Sequence, residues 1–84
     1  MTIASTVDEV VAEAAKAQDL YGSFASAHEM WGALLEEVDE LKEHVYQKQG
    51  LRNLPAMRKE AIQVAAIALR WAAACEGDGP ELRR

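Results

Sequence analysis

Three features of the chain predict an all-α fold. Alanine occurs sixteen times and aromatic residues make up only 6%, a composition that favours helices able to approach one another closely. Apolar residues recur at three- and four-residue steps in three successive stretches, and no stretch alternates apolar and polar residues as a half-buried strand does. The 84 residues suit one small domain, 1–84, built from helices over about 6–20, 26–49 and 55–75 and a tail over 77–84.

The first helix is announced by Thr6-Val7-Asp8-Glu9, whose spacing is that of a capping box. Val7, Val10, Val11, Ala14, Ala17 and Tyr21 then mark one apolar face, with Asp8, Glu13, Lys16 and Asp19 on the other side. Tyr21-Gly22-Ser23-Phe24 breaks the pattern, and Ser26-Ala27-His28-Glu29 repeats the capping spacing ahead of a longer helix that Gly50 should stop. Ala27, Met30, Trp31, Leu34, Val38, Leu41 and Val45 form its buried stripe, with Leu35 at the margin. Asn53 and Pro55 suit the cap and first turn of the third helix.

From Ala61 to Cys75 the only polar side chains are Gln63 and Arg70. A helix with so little solvent face must be surrounded. It is too short and too interrupted to cross a bilayer unaided, so burial between subunits is the expected explanation. A small domain hides a modest fraction of its surface and gains from a partner. The expected assembly is a homodimer or homotetramer in which three-helix modules complete a four-helix-bundle-type core.

Nine Lys and Arg against fourteen Asp and Glu give a net charge of −5, which argues against binding to a nucleic-acid duplex or an anionic membrane. A lone Cys75 excludes an internal disulfide framework and a Cys-based zinc site. No charged-then-apolar leader opens the chain, so the cytoplasm is the expected location. Cys75 has no His near it in sequence to activate it as a nucleophile.

The acidic run Glu36-Glu37-Val38-Asp39-Glu40, with Glu43 beyond, is the richest polar segment. Glu36, Asp39 and Glu43 fall opposite the apolar stripe and read as a solvated face. Glu37 and Glu40 lie on its flank, one turn apart, so their carboxylates point along the seam with a neighbouring helix. Glu60 and Gln63, again three apart, open the otherwise apolar third helix. A carboxylate there needs a compensating partner, either a cation or an arginine. Oxygen ligands at this spacing suit Mg²⁺, with Mn²⁺ as the alternative ion. The ordinary reading, an ExxE pair on an unremarkable helix, stays open on spacing alone.

Other residues divide in the same way. His44, one turn beyond Glu40, either extends the acidic edge or is an interface histidine. Trp31, Trp71 and Tyr46 either stack on a nucleobase or pack structurally. Arg70 either reaches a phosphate or pairs with a carboxylate across a subunit boundary. Arg52, Arg58 and Lys59 adjoin Glu60, where they either meet phosphate or are solvated.

The EExxE pattern at Glu36, Glu37 and Glu40, the Tyr21-Gly22 and Ser26-Ala27-His28-Glu29-Met30-Trp31 segments, and Arg58-Lys59-Glu60-Ala61-Ile62-Gln63-Val64-Ala65-Ala66 together resemble the MazG-like family of all-α nucleoside triphosphate pyrophosphohydrolases over about residues 20–74. The likeness is closest to short, single-module, phage-type members. It implies a homo-oligomeric helical module that binds Mg²⁺ through ExxE and ExxD pairs and converts a nucleoside triphosphate to monophosphate and pyrophosphate. Glu37, Glu40, Glu60 and Gln63 would then be the metal-site residues. Either Glu37 or Glu40 would be the catalytic base, and Trp31, Arg58, Lys59 and Arg70 would contact substrate. Position 63 departs from the pattern, carrying Gln where the family has Asp, which weakens affinity for a second ion. Two other readings follow: a nucleotide-binding or interaction protein that keeps the fold without turnover, and a plain helical assembly protein whose acids serve solubility.

Overall fold

A computed structural model describes residues 2–77 and Leu82; the rest of the expected tail lies outside the described residues. Helix α1 spans Ile3–Tyr21, α2 spans Ala27–Val45 and α3 spans Leu54–Glu76, with a 3₁₀ turn at Gln49–Leu51 before α3. Among the described residues there is no strand.

Helix α1 begins one turn earlier than the Thr6 cap predicts. Thr2 is the N-cap: its hydroxyl accepts from the Ser5 amide at 3.1 Å, and Ser5 Oγ accepts from the Thr2 amide at 3.0 Å. This reciprocal pair satisfies two amide donors and lets the helix extend by a turn. Thr6 becomes an interior residue whose hydroxyl donates to the Thr2 carbonyl. Glu9, free of any capping role, pairs with Arg58 on α3. The helix stops at Gly22, whose φ of 69° is a left-handed value that favours glycine.

Ser26 caps α2 as its spacing predicts, accepting from the Glu29 amide at 3.1 Å. The helix ends at Val45 and not near Gln49. Arg52 Nε donates to the Val45 carbonyl at 3.1 Å, satisfying an orphan acceptor of the last turn. Gly50 therefore lies in the 3₁₀ turn and is not the helix stop. Asn53 caps α3 through its Oδ1 and the Ala56 amide at 3.1 Å, and Pro55 occupies the first turn. Both ends of α3 lie within one residue of the predicted 55–75.

Helix α3 is central: α1 and α2 each pack on it and scarcely on each other. The buried apolar residues are Ala14 from α1, Met30 from α2, and Ile62 and Ala66 from α3. Two of the four are alanines, which lets the helices approach closely. The layer is elongated, 46 × 26 × 19 Å, with a radius of gyration of 14.2 Å against about 12 Å for a compact domain of this length.

This open arrangement corrects two expectations about burial. Along the predicted α2 stripe Met30 is buried and Ala27, Leu34 and Leu41 are half-buried, whereas Trp31 (54%), Val38 and Val45 are exposed. On α3, Ala61, Ala68, Leu69, Ala72, Ala73 and Cys75 are exposed, so the helix is not surrounded within one chain. The cause is geometric: two neighbours cover two stripes of a helix, and a third stripe is left over. On α1 the same holds for Val7, Val11 and Tyr21.

Candidate metal centre

Helical periodicity puts Glu37 and Glu40 on one edge of α2, and the Asn53 cap starts α3 so that Glu60 arrives opposite them in its second turn. One carboxylate oxygen from each of Glu37, Glu40 and Glu60 lies within 4.8 Å of the other two. Glu37 and Glu60 are half-buried, and Glu40 is exposed. The ion pair among the described residues is Arg58–Glu9, on a different edge of α3, so among those residues no basic side chain pairs with the three acids.

The electrostatics follow from that geometry. Partial burial pushes the Glu37 carboxyl up to about 7, with the nearby Glu60 and Glu40 adding to the rise. Glu40 is raised too, chiefly by Glu60. Carboxylates held this close without a counter-charge disfavour full ionisation, and Glu37 and Glu40 titrate as a pair. Three hard oxygen donors fit Mg²⁺ or Mn²⁺. Octahedral Mg²⁺ places its oxygens about 3 to 4 Å apart, so small side-chain rotations would close the triad on an ion. His44 is half-buried one turn beyond Glu40 but contributes nothing to the cluster.

The Gln63 amide is engaged by α1. Its Nε2 donates to Glu13 Oε2 at 3.1 Å, so its amide is turned toward α1. The α1 wheel puts Glu13 on the polar side of the helix; no spacing rule links residues so far apart, and nothing in the sequence signals the pair.

Beside the triad is a cleft of about 390 Å³ whose lining includes Glu37, Glu36, Glu29, Gln63, Phe24 and Arg70. Arg70 donates from Nε to Gln18 Oε1 at 3.3 Å and from Nη2 to the Gly22 carbonyl at 3.0 Å, and its guanidinium lies 4.4 Å from the Phe24 ring centroid. It fastens the α1–α2 turn to α3 within the chain. Of the four residues assigned to substrate, Arg70 alone lines this cleft; Trp31 does not. Arg58 and Lys59 line a separate groove with Glu9 and Glu13 between α1 and α3. Asp39 and Glu43 are exposed, as their wheel positions predict, and so is Glu36, although it also borders the cleft.

No family model, curated protein or solved structure matches the chain.

Proposed function

We propose that the chain is a Mg²⁺-dependent nucleoside triphosphate pyrophosphohydrolase of MazG-like type that works as a homo-oligomer. The observation that supports this reading is the convergence of Glu37, Glu40 and Glu60, from two successive helices, beside a cleft of ligand size. The three carboxylates would hold the ion, which when bound neutralises charge on phosphate oxygens and acidifies a coordinated water. In the reaction a water oxygen bonds to the α-phosphorus, the bond to the α–β bridging oxygen breaks, and pyrophosphate leaves from a monophosphate. Glu37, half-buried and lining the cleft where Glu40 is exposed and does not, is the better placed of the two candidate bases to take the water's proton.

The orientation of Gln63 favours a second reading. Its amide is engaged by Glu13 and adds no charge near the triad, which suits a protein that binds nucleotide without turning it over. Purified protein incubated with Mg²⁺ and each of the common ribo- and deoxyribonucleoside triphosphates distinguishes the two. The hydrolase gives equimolar monophosphate and pyrophosphate. Binding without product supports the second reading, and neither binding nor product defeats both.

Assembly has its own measurement. Trp31, Leu35 and Val38 on α2 and Leu69 on α3 are each 39% or more exposed, more apolar surface than scattered single residues explain. Light scattering coupled to gel filtration is expected to give the mass of two or four chains of 9.2 kDa. A single-chain mass at micromolar concentration would remove the oligomer from the proposal.

A further inference from the structure

The cleft beside the triad also bears on which nucleotides the protein takes, an inference that rests on the function proposed above. Its volume of about 390 Å³ falls at the lower end of small-molecule sites, roughly 300 to 1,000 Å³, which suits a nucleoside. Phe24, with the Arg70 guanidinium stacked 4.4 Å from its centroid, supplies a flat wall against which a planar base can lie.

The polar groups in the cleft are unequal in what they can offer. Arg70 Nε and one Nη2 hydrogen are engaged by Gln18 and Gly22, and one hydrogen of the Gln63 amide by Glu13, which holds both side chains against α1 and its following turn. The Tyr21 and Ser23 hydroxyls can donate or accept and so discriminate little. Toward the N-terminus of α2, away from Glu37, the charged group of the lining is a carboxylate acceptor. Glu29, the third residue of α2, lines the cleft, and its Oε1 accepts from the Ala25 amide at 3.4 Å, which leaves Oε2 for a ligand. Glu29 precedes Glu37 by eight residues, about 12 Å along the helix axis. That is close to the span from the α-phosphate of a nucleotide to the outer edge of its base.

We infer that Glu29 reads the base edge and selects nucleotides whose base carries an exocyclic amino group. A carboxylate accepts from the amino groups of cytosine and adenine, and from the adjacent ring N–H and amino group of guanine. Uracil and thymine present a single N–H between two carbonyls, whose lone pairs oppose a carboxylate.

Binding of α,β-methylene deoxynucleoside triphosphates in the presence of Mg²⁺ tests this, with inorganic tripolyphosphate as the probe that has no base. The cytosine, adenine and guanine analogues are expected to bind on the order of tenfold or more tighter than the thymine and uracil analogues. Glu29→Gln, which keeps an acceptor for the Ala25 amide while offering a donor to the cleft, is expected to erase that difference when each affinity is expressed relative to tripolyphosphate for the same variant. Equal binding of all five analogues overturns the base-reading role, and so does a preference for thymine or uracil; tripolyphosphate binding in either case leaves the metal-site reading standing. If neither tripolyphosphate nor any analogue binds, the metal-site reading falls and takes this one with it.

Discussion

Glu60→Gln is expected to lower Mg²⁺-dependent pyrophosphate release on the order of a hundredfold or more, while raising the melting temperature of the metal-free protein at about pH 8. The two effects have one cause. Glu60 is the α3 member of a triad whose oxygens lie within 4.8 Å of one another. It is the largest contributor to the raised Glu40 carboxyl, and among the neighbouring acids the first contributor to the rise at Glu37. Without an ion the third carboxylate is a repulsive neighbour, and replacing it with a neutral isostere relieves both partners. With an ion it is a ligand from the second helix, and its loss leaves two acids on one edge of α2. Outer-shell partners of metal ligands already account for about 10- to 100-fold, so a direct ligand sets the larger figure. Product release and thermal melts with and without Mg²⁺ measure both effects on one preparation. A variant that loses activity and also melts lower without metal would indicate a structural role for Glu60 and count against the metal centre.

The legibility of these features tracks the distance in sequence over which each is determined. The Ser26 and Asn53 caps and Pro55 are local, and the structure places them where their spacing predicts. The triad was legible for a related reason: periodicity fixes the edge of α2 that carries Glu37 and Glu40, and the short connection leaves α3 little choice but to run back along it with Glu60 near its start. The start of α1 differs from the spacing's prediction because two hydroxyl caps four residues apart compete, and Thr2 wins by its reciprocal bonds with Ser5. The end of α2 depends on Arg52 reaching the Val45 carbonyl seven residues back, which no helix-stop rule contains. Gln63–Glu13 and Arg70–Gln18 join α3 to α1 across 50 and 52 residues. They depend on how two helices are seated against each other, and a wheel drawn for either one is silent about that. Burial on the α2 stripe is less than the wheel predicts for the same reason: Trp31 and Val38 lie on the apolar face, but α3 covers only part of it.

Mg²⁺ affinity is expected to fall as pH drops below neutrality, steepening toward about tenfold per unit well below the pKa, and to level off above about pH 8. The proton that must leave belongs to the triad, where Glu37 is pushed up to about 7 while facing Glu40 on its own helix and Glu60 on α3. Between about pH 7.5 and 6 the affinity should drop roughly eightfold, and Glu37→Gln should flatten most of that slope. The same shift sets the stability of the metal-free protein, with a sign opposite to that of a salt-bridged acid. The Glu37 pKa is higher folded than unfolded, so between 4.5 and about 7 the folded state binds more protons than the unfolded state. Stability therefore declines as pH rises through that window and is level above it. Glu9 works the other way: Arg58 holds its carboxyl below 4.5, so its contribution is present above that value and lost only on further acidification. Thermal melts from about pH 5.5 to 8 should show the metal-free protein losing stability as pH rises, and saturating Mg²⁺ should reverse that trend, because the ion binds best where the apo triad is most strained. A metal-free protein whose stability is flat or rising across this window, with Mg²⁺ producing no pH-dependent gain, would mean that the three acids are solvated independently and hold no shared ion.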